Sequence, residues 1–178
     1  LQLGFVHIVP RGLDHILFVL GLFLLGTRLR PLVWQVTAFT VAHAATLSLA
    51  VFDVVSLPAT LVEPLIALSI VYVAVENVLT DRLHPWRPAV VFGFGLLHGL
   101  GFAGVLQEIG LPQQERLLGL LSFNVGIELG QLLVIALALA AVGWCRHRVW
   151  YRSRVGIPVS SAIAAVGLFW TLERALGG

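Results

Sequence analysis

The chain has 178 residues, of which 58% are hydrophobic and only 11% are charged, and its mean hydropathy is +0.96. This composition excludes an ordinary soluble domain and predicts an integral membrane protein. The net charge of +2 comes from arginines placed between apolar stretches rather than along a basic stripe, so nucleic acid is not an expected partner.

Six apolar runs follow one another, separated by segments that carry prolines and arginines. A bilayer core about 30 Å thick is crossed by ~20 helical residues. In chain order the runs are 12–26, 32–52, 59–80, 88–107, 116–143 and 155–176. They predict an all-α, polytopic membrane bundle of about six transmembrane helices, a single domain over residues 1–178 with the lipid bilayer around it. Two alternatives stay open, since the first run could be re-entrant and the fifth could be two short helices.

The arginines indicate the orientation of the bundle. The loops after the first, third and fifth runs hold eight of the eleven, so the positive-inside rule places these loops in the cytoplasm and both termini outside it. The eight are Arg28, Arg30, Arg82, Arg87, Arg146, Arg148, Arg152 and Arg154. Because the sequence begins at Leu1 without methionine, we also expect a processed or truncated start.

Polar side chains that a bilayer tolerates poorly interrupt the apolar runs. An unpaired charge there is costly, so such residues usually mark function. With the orientation above and a rise of 1.5 Å per helical residue, most of them share the layer between the outer surface and the midplane. The group comprises Asp14, His15, His43, Glu63, Ser69, His98, Asn124, Glu128 and Gln131. The last three also share one helix face, because their spacing is i, i+4, i+7.

Imidazole, carboxylate and amide groups together form a mixed nitrogen and oxygen ligand set. It suits divalent nickel, cobalt or zinc, whereas copper(I) prefers sulfur ligands, of which the chain offers only Cys145 and no methionine. We predict a divalent transition metal bound by His15, His43, His98, Asp14 and Glu128. The secondary polar lining is predicted to comprise His7 at the outer mouth, Glu63, Ser69, Asn124 and Gln131.

Two other interpretations of these polar residues remain. A single buried histidine could simply hydrogen-bond across a helix interface. Asp14 or Glu63 could accept a hydrogen bond from a ligating imidazole and so fix its tautomer.

Glu76, at the cytoplasmic end of the third run, could be an exit residue, although a snorkelling charge is the preferred interpretation.

Pairs of glycines spaced four residues apart predict close helix packing. They are Gly95 with Gly99 and Gly126 with Gly130. We expect these glycines to draw the helices of the fourth and fifth runs together and so to bring His98 near Glu128. The same small-residue spacing is compatible with a homo-oligomer.

Five ordered motifs carry a family resemblance. They are residues 4–8 with 12–18, 37–47, 62–70, 92–103 and 123–131. Together they resemble the HupE/UreJ family of bacterial membrane proteins, and in particular its second, less characterised subgroup. The resemblance implies a six-helix protein of the inner membrane, from a family associated with hydrogenase and urease gene clusters whose better-known members are nickel permeases. It also places the family's histidine and Asp-His motif on His7, Gly12, Asp14 and His15.

Three functions are compatible with this pattern. The first is a permease that accepts a divalent transition metal from the outer side. The second is an intramembrane metal-dependent hydrolase, in which a metal-bound water would be activated with Glu128 or Glu63 as general base. The third is an accessory membrane subunit without catalysis.

Overall fold

The computed structural model describes residues 1–26, 28–102 and 116–177, and this part of the chain is helical with no strand, which confirms the all-α prediction. The helices are α1 (Gln2–Ile8), α2 (Leu13–Leu25), α3 (Leu29–Val51), α4 (Ala59–Leu79), α5 (Arg87–Gly101), α6 (Arg116–Val142) and α7 (Ile157–Leu176). A π-helical turn, Arg152–Gly156, precedes α7.

The predicted runs agree with α2 to α7 to within about three residues at the ends that the structure describes. The last part of the predicted run 88–107 lies outside the described residues. The sequence analysis did not predict helix α1. It has only seven residues, too few for a hydropathy or periodicity signal.

Four of the described helical segments are long and apolar enough to cross a membrane: α3, α4, α6 and Arg152–Leu176. Helices α1 and α2 together pass the same test, but they are bent by 69° and form either a broken span or a re-entrant loop. The break contains Pro10, which cannot donate the backbone hydrogen bond of a continuous helix. The described residues therefore supply four or five candidate spans, and the predicted number of about six remains a prediction.

The glycine pairs lie at helix contacts, but not at the contact that we expected. A Cβ at Gly95 or Gly99 would collide with α3, at Phe39 and His43 respectively. On α6, Gly126 lies against the backbone of α1 and Gly130 against the side chain of Ile8. The expectation that these glycines join the fourth and fifth runs is therefore wrong. Gly95 and Gly99 instead contact α3, and Gly126 and Gly130 contact α1.

Arginines stabilise the end of the bundle where α2 and α4 finish. Arg146 donates hydrogen bonds to the carbonyl oxygens of Phe23 and Gly26, and its guanidinium lies 4.0 Å above the Phe23 ring. Arg152 donates to the carbonyl of Val78 at 3.1 Å. Cations are favourable at helix carboxyl ends, where the last carbonyls have no helical partner. These arginines thus have a structural role besides the predicted one in topology.

A buried ion pair lies near the same end. Arg87 Nε is 3.4 Å from Glu76 Oε2, and the two side chains are only 2% and 12% exposed. Asn77 supports the pair by accepting from Arg87 at 3.4 Å, and it donates to the carbonyl of Gly21 at 2.8 Å. The snorkelling interpretation of Glu76 is therefore wrong, because its carboxylate is held inside the bundle.

Both ends of the described chain lie at the opposite end of the bundle. Leu3 of α1, Asp14 of α2 and Arg174 of α7 line one cavity there. That both termini lie outside the cytoplasm stays a prediction. We refer to it below as the mouth end.

Candidate metal centre

Three imidazoles from three helices meet below the mouth. His7 lies in the last turn of α1, His15 in the first turn of α2 and His43 near the middle of α3. One ring nitrogen of each lies within 4.8 Å of the others. The bend between α1 and α2 brings the rings of His7 and His15 to 4.9 Å between centroids. We call these three residues the His triad.

The triad offers nitrogen atoms that nothing else uses. In the part of the chain that the structure describes, Nε2 of each of the three histidines is buried and has no hydrogen-bond partner. Buried polar atoms are nearly always satisfied, so three unsatisfied nitrogens on neighbouring imidazoles require an explanation. An ion held between them would supply it.

Asn124 fixes the tautomer of His43. Asn124 Nδ2 donates to the carbonyl of Leu120 at 2.8 Å, so its Oδ1 faces the imidazole, 3.3 Å from His43 Nδ1. Only a protonated Nδ1 can donate to this oxygen, which leaves a lone pair on Nε2. Metal-ligating histidines are commonly oriented through the other ring nitrogen in this way.

His98 is a fourth imidazole beside the triad, with its ring 4.8 Å from that of His15. The hydroxyl of Ser69 donates to the carbonyl of Ile66 at 2.6 Å, so it accepts at 3.0 Å from Nε2 of His98. The Nδ1 atom of His98 then carries a lone pair, and it too is buried without a partner among the described residues. Ser69 therefore fixes the tautomer of His98, as Asn124 fixes that of His43.

A cavity of about 500 Å³ connects these histidines with the mouth end, and His7, His15 and His98 line it. Its rim carries charged side chains of both signs. Arg174 Nη2 contacts both carboxylate oxygens of Asp14, at 3.0 and 3.2 Å, while Nη1 donates to the backbone carbonyl of Glu63 at 3.4 Å. These contacts join α7 to the starts of α2 and α4 across the cavity.

Three phenylalanine rings pack together on the inner side of the histidines. Phe18, Phe39 and Phe94 lie about one turn further inward than His15, His43 and His98 on the same helices. The rings of Phe18 and Phe39 are 5.0 Å apart, those of Phe18 and Phe94 are 5.9 Å apart, and Phe18 and Phe39 are fully buried. We call these rings the phenylalanine floor.

Two of the five predicted metal ligands, His15 and His43, belong to the triad, and His98 adjoins it. Asp14 forms its ion pair with Arg174 instead, and Glu128 accepts a hydrogen bond from Thr37 at 2.7 Å. Neither carboxylate belongs to the cluster of ligand atoms found in the described residues.

The predicted lining residues also lie in distinct places. His7 is a triad member and also lines the cavity at the mouth end, as does Glu63. Gln131 is fully buried and accepts from Thr40 at 2.9 Å, one turn inward from His43. The sequence analysis missed Arg174 as a site residue, although the predicted topology places it at the same end as Asp14.

The triad fits a divalent transition metal such as nickel, cobalt or zinc. Neutral imidazole is a common ligand of all three ions, and the triad contains no thiolate. Nitrogens around a tetrahedral ion at 2.0–2.1 Å would be about 3.4 Å apart, so binding draws the three rings closer than their present spacing. The cavity leaves room for a water or a further ligand.

The model of the family described as HupE / UreJ protein matches residues 1–174 of the chain. No curated protein matches the chain significantly, and neither does any solved structure.

Proposed function

The chain belongs to the HupE/UreJ family, whose membrane proteins are related to nickel and cobalt transport, and we propose that it is a permease for such a divalent metal ion. In this proposal the protein lies in the bacterial inner membrane and the metal is its cargo. The observation that carries the proposal is the His triad, in which one ring nitrogen of each histidine lies within 4.8 Å of the others and each Nε2 is buried without a partner among the described residues, beside an open cavity.

The composition of the triad suits an ion that must leave again. Three neutral imidazoles bind a divalent ion without offsetting its charge, and the nearby Asp14 carboxylate is already paired with Arg174. A buried charge without a counter-charge is costly, so binding is expected to be weaker than in a structural site that includes carboxylates or thiolates. His98, with its free Nδ1, would provide the next ligand during transfer.

In this proposal the phenylalanine floor lies between the triad and the inner half of the bundle, and the cavity opens toward the mouth. For an ion to continue inward, at least one of the three rings must move. Beyond the floor, polar pairs continue along α3 and α6, namely Thr40 with Gln131 and Thr37 with Glu128. These pairs would give a cation oxygen ligands inside the bilayer, where lipid offers none.

Uptake of nickel or cobalt into proteoliposomes tests this proposal. We expect uptake by the intact protein and a loss of at least tenfold in His43→Ala, because one of three ligands is removed. His147→Ala is the matched control, since His147 lies in the loop between α6 and α7 and is exposed. Equal uptake by all three proteins would overturn transport through the triad.

A metal-dependent hydrolase is a second candidate, and the phenylalanine floor is the observation that favours it. Three histidines with one open position resemble the ligand set of catalytic zinc sites, and a closed floor needs no transport path. Of the two predicted general bases, Glu63 lines the cavity, whereas Glu128 is bonded to Thr37. Metal that stays bound through purification, together with absence of uptake, would favour the enzyme over the permease.

A further inference from the structure

A second polar cavity lies at the end of the bundle opposite the mouth. Its volume is about 140 Å³, and it is lined by the end of α2, by Asp81 after α4 and by the segment between α6 and α7. The charged and polar side chains that line it are Arg146, Arg148, Arg152, Tyr151 and Asp81. We call it the basic pocket. A phosphate group fits such a volume, which is that of several water molecules at ~30 Å³ each.

The hydroxyl of Tyr151, beside the basic pocket, has no acceptor for its proton among the described residues. Tyr151 and Arg146 are each only 4% exposed, and the Arg146 guanidinium interacts with the Tyr151 oxygen as a donor, so the hydroxyl proton stays available. Burial raises the pKa of the Tyr151 hydroxyl, so it remains a donor at neutral pH. Burial also lowers the pKa of Arg146, because its charge is partly removed from water. Donors of this kind are satisfied by an acceptor that arrives with a ligand.

The charge of the basic pocket is positive. Three guanidinium groups line it against the single carboxylate of Asp81, whose side chain is 70% exposed and lies 3.9 Å from Arg82. Arg146 and Arg152 are held in place by the helix-end carbonyls that they cap, so their positions are fixed before any ligand binds. Arginine binds phosphate oxygens well because its planar group presents several donors in a fixed geometry.

The surroundings place this pocket at the level of a membrane surface. Val149 and Trp144, in the same segment, are 102% and 73% exposed, and Trp86 at the start of α5 is 54% exposed. Tryptophan is enriched where a membrane protein meets the interface between lipid and water. Basic pockets between helices at that level bind the headgroups of anionic lipids.

We propose that the basic pocket binds the phosphate group of an anionic phospholipid. Arg148 and Arg152 contact the phosphate oxygens, and the hydroxyl of Tyr151 donates to one of them. The lipid then joins α2, α4 and the start of α7 at this end of the bundle. The site is separate from the His triad, so it holds whether or not the protein transports metal.

The test is a titration of the detergent-purified full chain with phosphatidylglycerol or phosphatidylcholine, followed by thermal unfolding. We expect phosphatidylglycerol to raise the Tm and phosphatidylcholine to have little effect. Arg148→Gln should weaken the apparent affinity for phosphatidylglycerol at least tenfold. Tyr151→Phe, which changes no charge, should weaken it at least threefold, because a donor to the phosphate is lost.

Arg154→Gln is the matched control. Arg154 is an exposed arginine of the same segment, and its guanidinium stacks 6.0 Å from the Trp150 ring rather than lining the pocket. Arg154→Gln should weaken the apparent affinity for phosphatidylglycerol by about fivefold at most, as expected for one basic residue near an anionic surface. Equal losses in Arg148→Gln and Arg154→Gln would overturn the proposal and leave only diffuse attraction. If inorganic phosphate alone stabilised the protein as much as phosphatidylglycerol does, the pocket would bind free phosphate rather than a lipid headgroup, and the proposal would be overturned. If Tyr151→Phe does not fold, the two arginine variants still decide.

Discussion

Replacing Asn124 by leucine should weaken metal binding without touching a ligand. In the structure Asn124 Oδ1 accepts from Nδ1 of His43, and this bond keeps the lone pair on Nε2. In Asn124→Leu the Nδ1 proton is buried without an acceptor, which costs about 1–3 kcal/mol. The imidazole is then no longer held in the tautomer with a lone pair on Nε2, so the other tautomer, in which Nε2 carries the proton and is not a ligand, competes with it.

The expected loss can be stated as an affinity. Removing the hydrogen-bond partner of a metal-ligating histidine costs about 10–100-fold in metal affinity, or roughly 1.4–2.8 kcal/mol. Calorimetric titration of the purified protein with nickel or cobalt measures it directly.

Gln131→Leu provides the matched control for this measurement. Gln131 is also a buried amide of α6 that bonds to α3, but its partner is Thr40 rather than an imidazole. We expect its metal affinity to remain within about threefold of the unmodified protein, since no histidine tautomer depends on it. Equal affinities of the two folded variants would refute the assigned role of Asn124.

Three further predictions follow from the same site. His7→Ala should reduce nickel or cobalt affinity at least tenfold in calorimetric titration, whereas His147→Ala should not, and a full-affinity His7→Ala would exclude α1 from the site. Cobalt at a hundred times its Kd should stabilise the unmodified protein by about 2.7 kcal/mol in thermal unfolding, and a chelator should reverse this; the same stabilisation in His7→Ala would contradict a site at the triad. Gly126→Ala should lower stability by about 1–3 kcal/mol because its Cβ collides with the backbone of α1. Gly93→Ala is its control, with no atom within 4 Å of the added Cβ, and equal unfolding midpoints would show that α1 does not pack as described.

Part of the candidate site could be predicted from the sequence because polar residues in apolar runs are visible without a structure. The sequence predicts His15, His43 and His98 for that reason, and the structure brings their rings together. Depth along a helix follows from its rise per residue, so residues at similar depth could be grouped before their contacts were known.

The carboxylates of Asp14 and Glu128 show that depth along a helix does not predict which partner a side chain has. Asp14 and Glu128 have suitable chemistry and depth, yet each is engaged by another side chain, Arg174 or Thr37. Arg174 is 160 residues away from Asp14 in the chain, and Thr37 is 91 residues away from Glu128. Depth restricts a residue to a layer, but the helix rotation and packing decide which neighbour it meets.

The sequence by itself determined the membrane class, the positions of the long helices and the set of residues able to bind a metal, because hydropathy and ligand chemistry are local properties of the chain. Only the tertiary structure decided that His7 completes the cluster. That outcome depends on the 69° bend before α2 and on Gly126 and Gly130, which let α1 lie against α6. A helix of seven residues has no stable conformation of its own in isolation, so its position is set by the surface on which it packs.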